Sequence, residues 1–235
     1  MNSSELKGYL TGLIFGDGYI DKGVTKRSFS IKNTDYAFIT KIKNDLESCS
    51  DFKISIRFMQ EHDSNGCHHK DAWELRIDAH PYFNKKYHHF YDDYRKRIAS
   101  KEALSWITPC GIANWYMSDG YVCHVGKTKG KIYNRRVDFS TDRYSKDTVI
   151  KMQKMFKERF GINTTLNKRG DRYRIRVSMN SYPDFINLIK PYVIPSMQYK
   201  LYLGYEQQPK WMDNDMWEFQ ENLRSAIALT DNAEG

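Results

Sequence analysis

Two apolar runs that each end in Asp-Gly stand about 100 residues apart, and the segments downstream of the first recur downstream of the second in the same order. The first run is YLTGLIFGDGY (Tyr9–Tyr19); the second is IANWYMSDGY (Ile112–Tyr121). After each comes a basic strand-like stretch (26–35 and 134–142), then a segment with helical apolar spacing (36–46 and 149–160). A strand pair then closes on WELRID (73–78) or YRIRVS (173–178), and a Tyr/Phe-rich helix starts near His80 or Ser181. Agreement in order, type and spacing predicts an α+β fold of two pseudo-symmetric αββαββα repeats. The repeats span 1–100 and 101–204, joined around Ala99–Ser105, with an additional tail at 205–235. A length of 235 residues holds two such units of roughly 100 residues each.

Alternation along the strands assigns their faces. Tyr173, Ile175, Val177 and Met179 point to one side; Arg172, Arg174, Arg176 and Ser178 point to the other. Val137 and Phe139 likewise oppose Asn134, Arg136, Asp138 and Ser140, and Trp73, Leu75 and Ile77 oppose Glu74, Arg76 and Asp78. In the first repeat, Lys26, Ser28, Ser30 and Lys32 share such a polar face with Arg57 and Arg76. Arginine interleaved with Asn, Ser and Asp suits phosphates and base edges better than it suits a plain solvated face.

The charge is distributed unevenly. Against a net +8, residues 205–235 carry seven acids and only Lys210 and Arg224, so the rest of the chain stands at +13. A body so basic favours a polyanionic partner. Mean hydropathy is −0.73, and no apolar run approaches a spanning length, so no membrane partner is expected. The start of the chain lacks a secretory pattern, which predicts an intracellular setting. Four cysteines without CxxC spacing give neither a disulfide framework nor a thiolate zinc site. His62, Cys67, His68 and His69 fit no standard finger, and Glu61–Lys70 reads as a polar loop. In the tail, Met212, Met216, Phe219, Leu223 and Ile227 recur at helical spacing, predicting a short amphipathic helix that docks on the body.

Gly18 and Gly120 read as left-handed helix stops. Asp17 and Asp119 then sit at negative helix ends, where a carboxylate is disfavoured. Two such placements in matched repeats point to a shared positive partner. Gly12 and Gly16 on the first helix, with Ala113 and Ser118 near the corresponding positions of the second, would let the two backbones approach closely. Side by side, the helices would bring Asp17 and Asp119 together, a pairing suited to a divalent cation and to metal-assisted phosphodiester hydrolysis.

LTGLIFGDG (Leu10–Gly18) and IANWYMSDG (Ile112–Gly120) resemble the two motifs of a single-chain LAGLIDADG homing endonuclease. The stretch from Phe185 to Leu201 is similar to the end of the second repeat in the intron-encoded branch, so the likeness covers about residues 6–203. It implies a saddle of antiparallel sheets around a central two-helix interface, acting as a monomer on double-stranded DNA. The reaction implied is Mg2+-dependent cleavage of a long, nearly non-palindromic site, with short 3′ overhangs and Mn2+ as a substitute metal. Carried over position by position, Asp17 and Asp119 are metal ligands, with the carbonyls of Gly16 and Ser118 as further candidates. Lys200 matches the basic catalytic residue of the second repeat; its first-repeat counterpart is read as Lys96, with Arg95 and Arg97 as alternatives. Asn114 replaces a motif glycine, so either the helix packing is asymmetric or Asn114 is buried with its hydrogen bonds met. Structured intron RNA, bound in a maturase role, and a cleavage-dead DNA-binding module are the competing readings.

Overall fold

A computed structural model describes the chain apart from residues 22, 24–25, 65–66, 125–126, 129–130, 133–134 and 202–235, so Asn134 and the acidic tail lie outside the described residues. The first repeat runs α1 (Ser3–Phe15), β1 (Tyr19–Ile20), β2 (Phe29–Asn33), α2 (Tyr36–Glu47), β3 (Ile54–Met59), β4 (Ala72–Ile77) and α3 (Pro81–Lys86). A short helix, α4 (Lys101–Trp106), occupies the stretch expected to be a plain connection. The second repeat then runs α5 (Pro109–Asp119), β5 (Gly120–His124), β6 (Arg135–Phe139), α6 (Lys146–Phe160), β7 (Thr164–Arg169), β8 (Arg172–Val177) and α7 (Tyr182–Ile189). The segment 61–70 forms a two-stranded hairpin, His62–Ser64 with Cys67–His69, rather than an open loop; the zinc-candidate side chains there lie outside the description.

Both sheets are antiparallel and share one topology, β1-β2-β4-β3 and β5-β6-β8-β7. Matching pairs fix the correspondence: Phe29 faces Ile77 as Val137 faces Val177, and Ile54 faces Ile77 as Thr164 faces Val177. Period-2 alternation buries Phe29, Ile31, Leu75 and Ile77 in one sheet and Val137, Phe139, Ile175 and Val177 in the other. Met179, assigned by alternation to the core face, is 51% exposed because the strand ends at Val177 and a 3-10 turn follows.

Motif helices α1 and α5 lie at the centre, buried along most of their length. Asn2 opens α1 with a capping box, its Oδ1 accepting from the backbone N of Ser4 (2.9 Å) and Glu5 (3.0 Å). Thr108 caps α5 ahead of Pro109, its Oγ1 accepting from Gly111 N at 3.1 Å. Where Gly8 and Gly12 meet Gly111 there is room for backbone only. A Cβ on Gly12 would lie 1.8 Å from Gly111 O, one on Gly111 2.3 Å from Gly8 O, and one on Gly16 2.0 Å from Ser118 Oγ. The small residue that answers α1 is thus Gly111, not Ala113. Asn114 is fully buried beside the Tyr9 hydroxyl, which itself donates to Asp45 Oδ2 (2.9 Å), and neither amide atom of Asn114 makes a well-formed hydrogen bond. Packing is therefore asymmetric across the pseudo-two-fold. Phe15 and Trp115 close it edge to face, with ring centroids 5.3 Å apart.

Gly12→Ala and Gly111→Ala should each cost at least about 3 kcal/mol, because a methyl group would have to displace a neighbouring backbone rather than a flexible side chain. Gly161→Ala, at φ 71° in open space beyond α6, should cost only about 1–2 kcal/mol. Urea unfolding of the three variants checks this ranking, and equal losses would contradict it.

Candidate active site

Side-by-side packing carries the two motif carboxylates to one place. Asp119 is the last residue of α5, and Asp17 follows the cap Gly16 of α1. Neither Gly18 nor Gly120 is left-handed: Gly120 has φ −84°, and only Gly161 and Gly170 show positive φ among the described glycines. They are glycines for want of space. A Cβ at Gly18 would sit 2.6 Å from Leu13 O, and one at Gly120 would sit 2.0 Å from the Tyr116 ring.

A cation already spans the pair. Arg143 Nη2 lies 3.1 Å from Asp17 Oδ1 and 4.0 Å from Asp119 Oδ2. Burial, and then the nearby charge of Asp17, push the Asp119 carboxyl up to about 7. A guanidinium held between two carboxylates, one of them largely desolvated, shows that the donor set suits a positive ion with oxygen ligands. Arg143 has no counterpart in the sequence motifs, and only its distance from the two acids reveals it.

Each helix end is also tied by a half-buried cation. Arg97 Nη1 donates to Ile14 O (2.6 Å) and Gly16 O (3.2 Å), and its Nη2 donates to Gly18 O (2.7 Å). Lys200 Nζ donates to Met117 O (2.5 Å) and Gly120 O (3.0 Å), and burial pulls its ammonium down to about 8. Both therefore neutralise carbonyls left unpaired at a helix C-terminus. By position, the first-repeat counterpart of Lys200 is thus Arg97, the second alternative to Lys96. Lys96 is exposed on a turn where its backbone N donates to Asp92 Oδ1, while the next side chain points inward. Arg95, the other alternative, is exposed with φ 61°. Gly16 O already accepts from Arg97, and the Ser118 hydroxyl, as distinct from its candidate carbonyl, lies 3.1 Å from both Asn114 O and Trp115 O and donates within its own helix.

The polar strand faces are laced with carboxylates. Buried Glu74 lies between Arg57 (Nε at 2.5 Å) and Lys32 (Nζ at 3.7 Å). In the second sheet, fully buried Asp138 takes Arg176 through Nε (2.7 Å) and Nη2 (2.8 Å), and accepts from Asn167 and Tyr121 at 3.3 Å. Asp138 is therefore a strut for Arg176 rather than a free contact for a ligand, and Ser28 is likewise buried, within 3.5 Å of Arg76 Nη2. Arg174 is held by Asp142 (2.6 Å) and Tyr121 (2.8 Å). Lys26, Lys32, Arg57, Arg76 and Arg172 are exposed; Ser30, Arg136 and Ser140 are half-buried. Corresponding rows differ in kind: Ser30-Arg76-Ser55 in one sheet stands where Asp138-Arg176-Thr165 stands in the other.

Paired motif helices with carboxylates at their ends, flanked by two basic antiparallel sheets, define a two-repeat nuclease scaffold. The chain belongs to the LAGLIDADG DNA endonuclease family, whose signature matches residues 7–185. It is 26% identical over 196 residues to probable intron-encoded endonuclease 1 of Wickerhamomyces canadensis, covering 82% of this chain and 81% of that one. A cytochrome b mRNA maturase of Debaryomyces hansenii is 27% identical over 51% of this chain and 42% of its own length. Among solved structures, the homing endonuclease I-WcaI bound to its DNA recognition sequence has the same fold, with TM-score 0.71 and 23% identity over 86% of this chain and 88% of that one.

Since the Asp119 carboxyl is raised, its ionisation is a cost borne by the folded state: stability present at low pH is lost as pH rises through about 7. Asp119→Asn removes that cost. The metal-free variant should melt about 2–8 °C above the parent at pH 8, from about 1–2 kcal/mol, with a smaller gain at pH 5, where the unfolded carboxyl is already ionised and the folded one is still protonated. Calorimetric melts at the two pH values check the sign, and a gain at pH 5 equal to that at pH 8 would contradict it.

Proposed function

We propose that this chain cuts both strands of duplex DNA at one long, nearly non-palindromic site, acting as a monomer and leaving short 3′ overhangs. The observation that carries this reading is the convergence of Asp17 and Asp119, from two repeats of a single chain, on one cation position. Because both acids belong to one chain, no second copy is needed to complete the centre. A divalent cation, Mg2+ with Mn2+ as substitute, would be held by Asp17 and Asp119 and would supply Lewis-acid stabilisation to the attacked phosphodiester. Arg97 and Lys200 hold the helix ends so that the two carboxylates stay in register, and their charge favours an approaching phosphate. The basic strands track the backbone, and Arg76, exposed where Arg176 is braced, gives the two half-sites different contacts.

Incubation with Mg2+ and a randomised duplex library, followed by sequencing of the ends, tests the reading. One asymmetric site cut by one protein per duplex is expected; a perfect palindrome bound two to one would overturn the monomer. Asp17→Asn and Asp119→Asn should each lower cleavage by about 10³-fold or more while leaving specific binding in place. Full-rate cutting by either variant would remove the paired-carboxylate mechanism. Affinity should fall about 10³–10⁵-fold between 50 and 200 mM salt if roughly 6–10 phosphates are contacted.

Similarity to maturases named for cytochrome b mRNA supports a second reading, assistance to intron splicing, though the chain spans under half of the maturase from Debaryomyces hansenii. Stimulation of splicing by the cleavage-dead Asp17→Asn protein would establish it as an added role.

A further inference from the structure

The connection carrying Arg143 is built differently from its counterpart. Five residues separate Phe29 from the helix cap Asp35, whereas seven separate the matching Val137 from the cap Ser145. The longer loop is fastened along its length. Thr141 Oγ1 donates to Tyr173 O (2.7 Å), Asp142 accepts from Arg174 Nε (2.6 Å), and Tyr144 N donates to Thr141 O (3.0 Å). The buried Tyr144 hydroxyl reaches across to the other repeat and donates to Phe15 O (3.3 Å), at the end of α1. The loop is thus anchored on the first motif helix, and the residue beside the anchor, Arg143, extends over Asp17 and Asp119.

From this geometry we propose that Arg143 is a built-in counter-ion: it occupies the cation position between Asp17 and Asp119 in the metal-free protein and yields that position when a divalent ion binds. The proposal rests on the reading that the two acids share a metal. Two carboxylates this close, with side chains only 27% and 14% exposed, repel one another in a poorly solvated place. A tethered guanidinium offsets that repulsion with no ion from solution. Its side chain is half exposed, so it can swing out without disturbing the core. The matching loop of the first repeat lacks the two-residue extension, so one arginine serves both acids. Arg143 is a positioning residue: it keeps the carboxylates poised, and it sets the metal concentration at which the centre fills.

The test is thermal melting of the full chain without DNA, titrated with Mn2+ and separately with Ca2+. Arg143→Ala should melt lower than the parent in metal-free buffer, and should reach half of its metal-induced rise at a roughly tenfold lower metal concentration. Arg143→Lys, which keeps the charge, should stay close to the parent on both counts. A uniform fall in melting temperature with an unchanged metal midpoint is what a merely structural arginine would give, and it overturns the proposal. The Asp17→Asn/Asp119→Asn double variant separates the two layers of the argument. If parent and Arg143→Ala respond equally to metal and the double variant does not, the shared site stands and the counter-ion role falls. If the double variant responds like the parent, or if none responds, the shared site falls as well.

Discussion

Everything at the candidate centre depends on a backbone contact. Gly8 and Gly12 of α1 meet Gly111 of α5 so closely that a single methyl group would overlap a carbonyl. This packing, rather than any hydrogen bond between the acids, puts Asp17 and Asp119 within reach of one guanidinium. The large side chains that fill the rest of the interface, Phe15 and Trp115 foremost, supply apolar burial but could be accommodated at several spacings. The glycines allow only one.

Such packing places like charges together and brings two helix C-termini to the same place. Three cations offset this, each with a distinct duty. Arg97 and Lys200 take the open carbonyls of α1 and α5, and Arg143 takes the carboxylates. Burial, and then the charge of Asp17, raise the Asp119 carboxyl, while burial lowers the Lys200 ammonium against the opposing pull of both carboxylates. Away from the centre the same economy recurs. Glu74 and Asp138 are buried among arginines and lysine, fixing the cations that remain for an anionic ligand.

The repeat, its element order and the two acids were legible because they are properties of pattern: helical and strand periodicities, and a motif present twice. Arg97 was not singled out over Lys96, since a turn between Tyr91 and Arg97 decides which of three consecutive basic side chains faces inward. Gly111 was overlooked because contact between helices depends on crossing geometry, and its aligned position in the first repeat is a tyrosine, Tyr9. Arg143 lies on an extension that the repeat does not share, so no internal comparison could flag it. Asp138 read as a base contact for a related reason: alternation gives the side a residue points to, but not whether a neighbouring guanidinium already claims it.

The most direct test of the shared centre is anomalous diffraction from the chain crystallised with duplex DNA and Mn2+. Manganese is expected between Asp17 and Asp119, with Arg143 moved away from both carboxylates and Arg97 and Lys200 still on the helix-end carbonyls. Manganese bound elsewhere, with Arg143 still bridging the two acids, would contradict it.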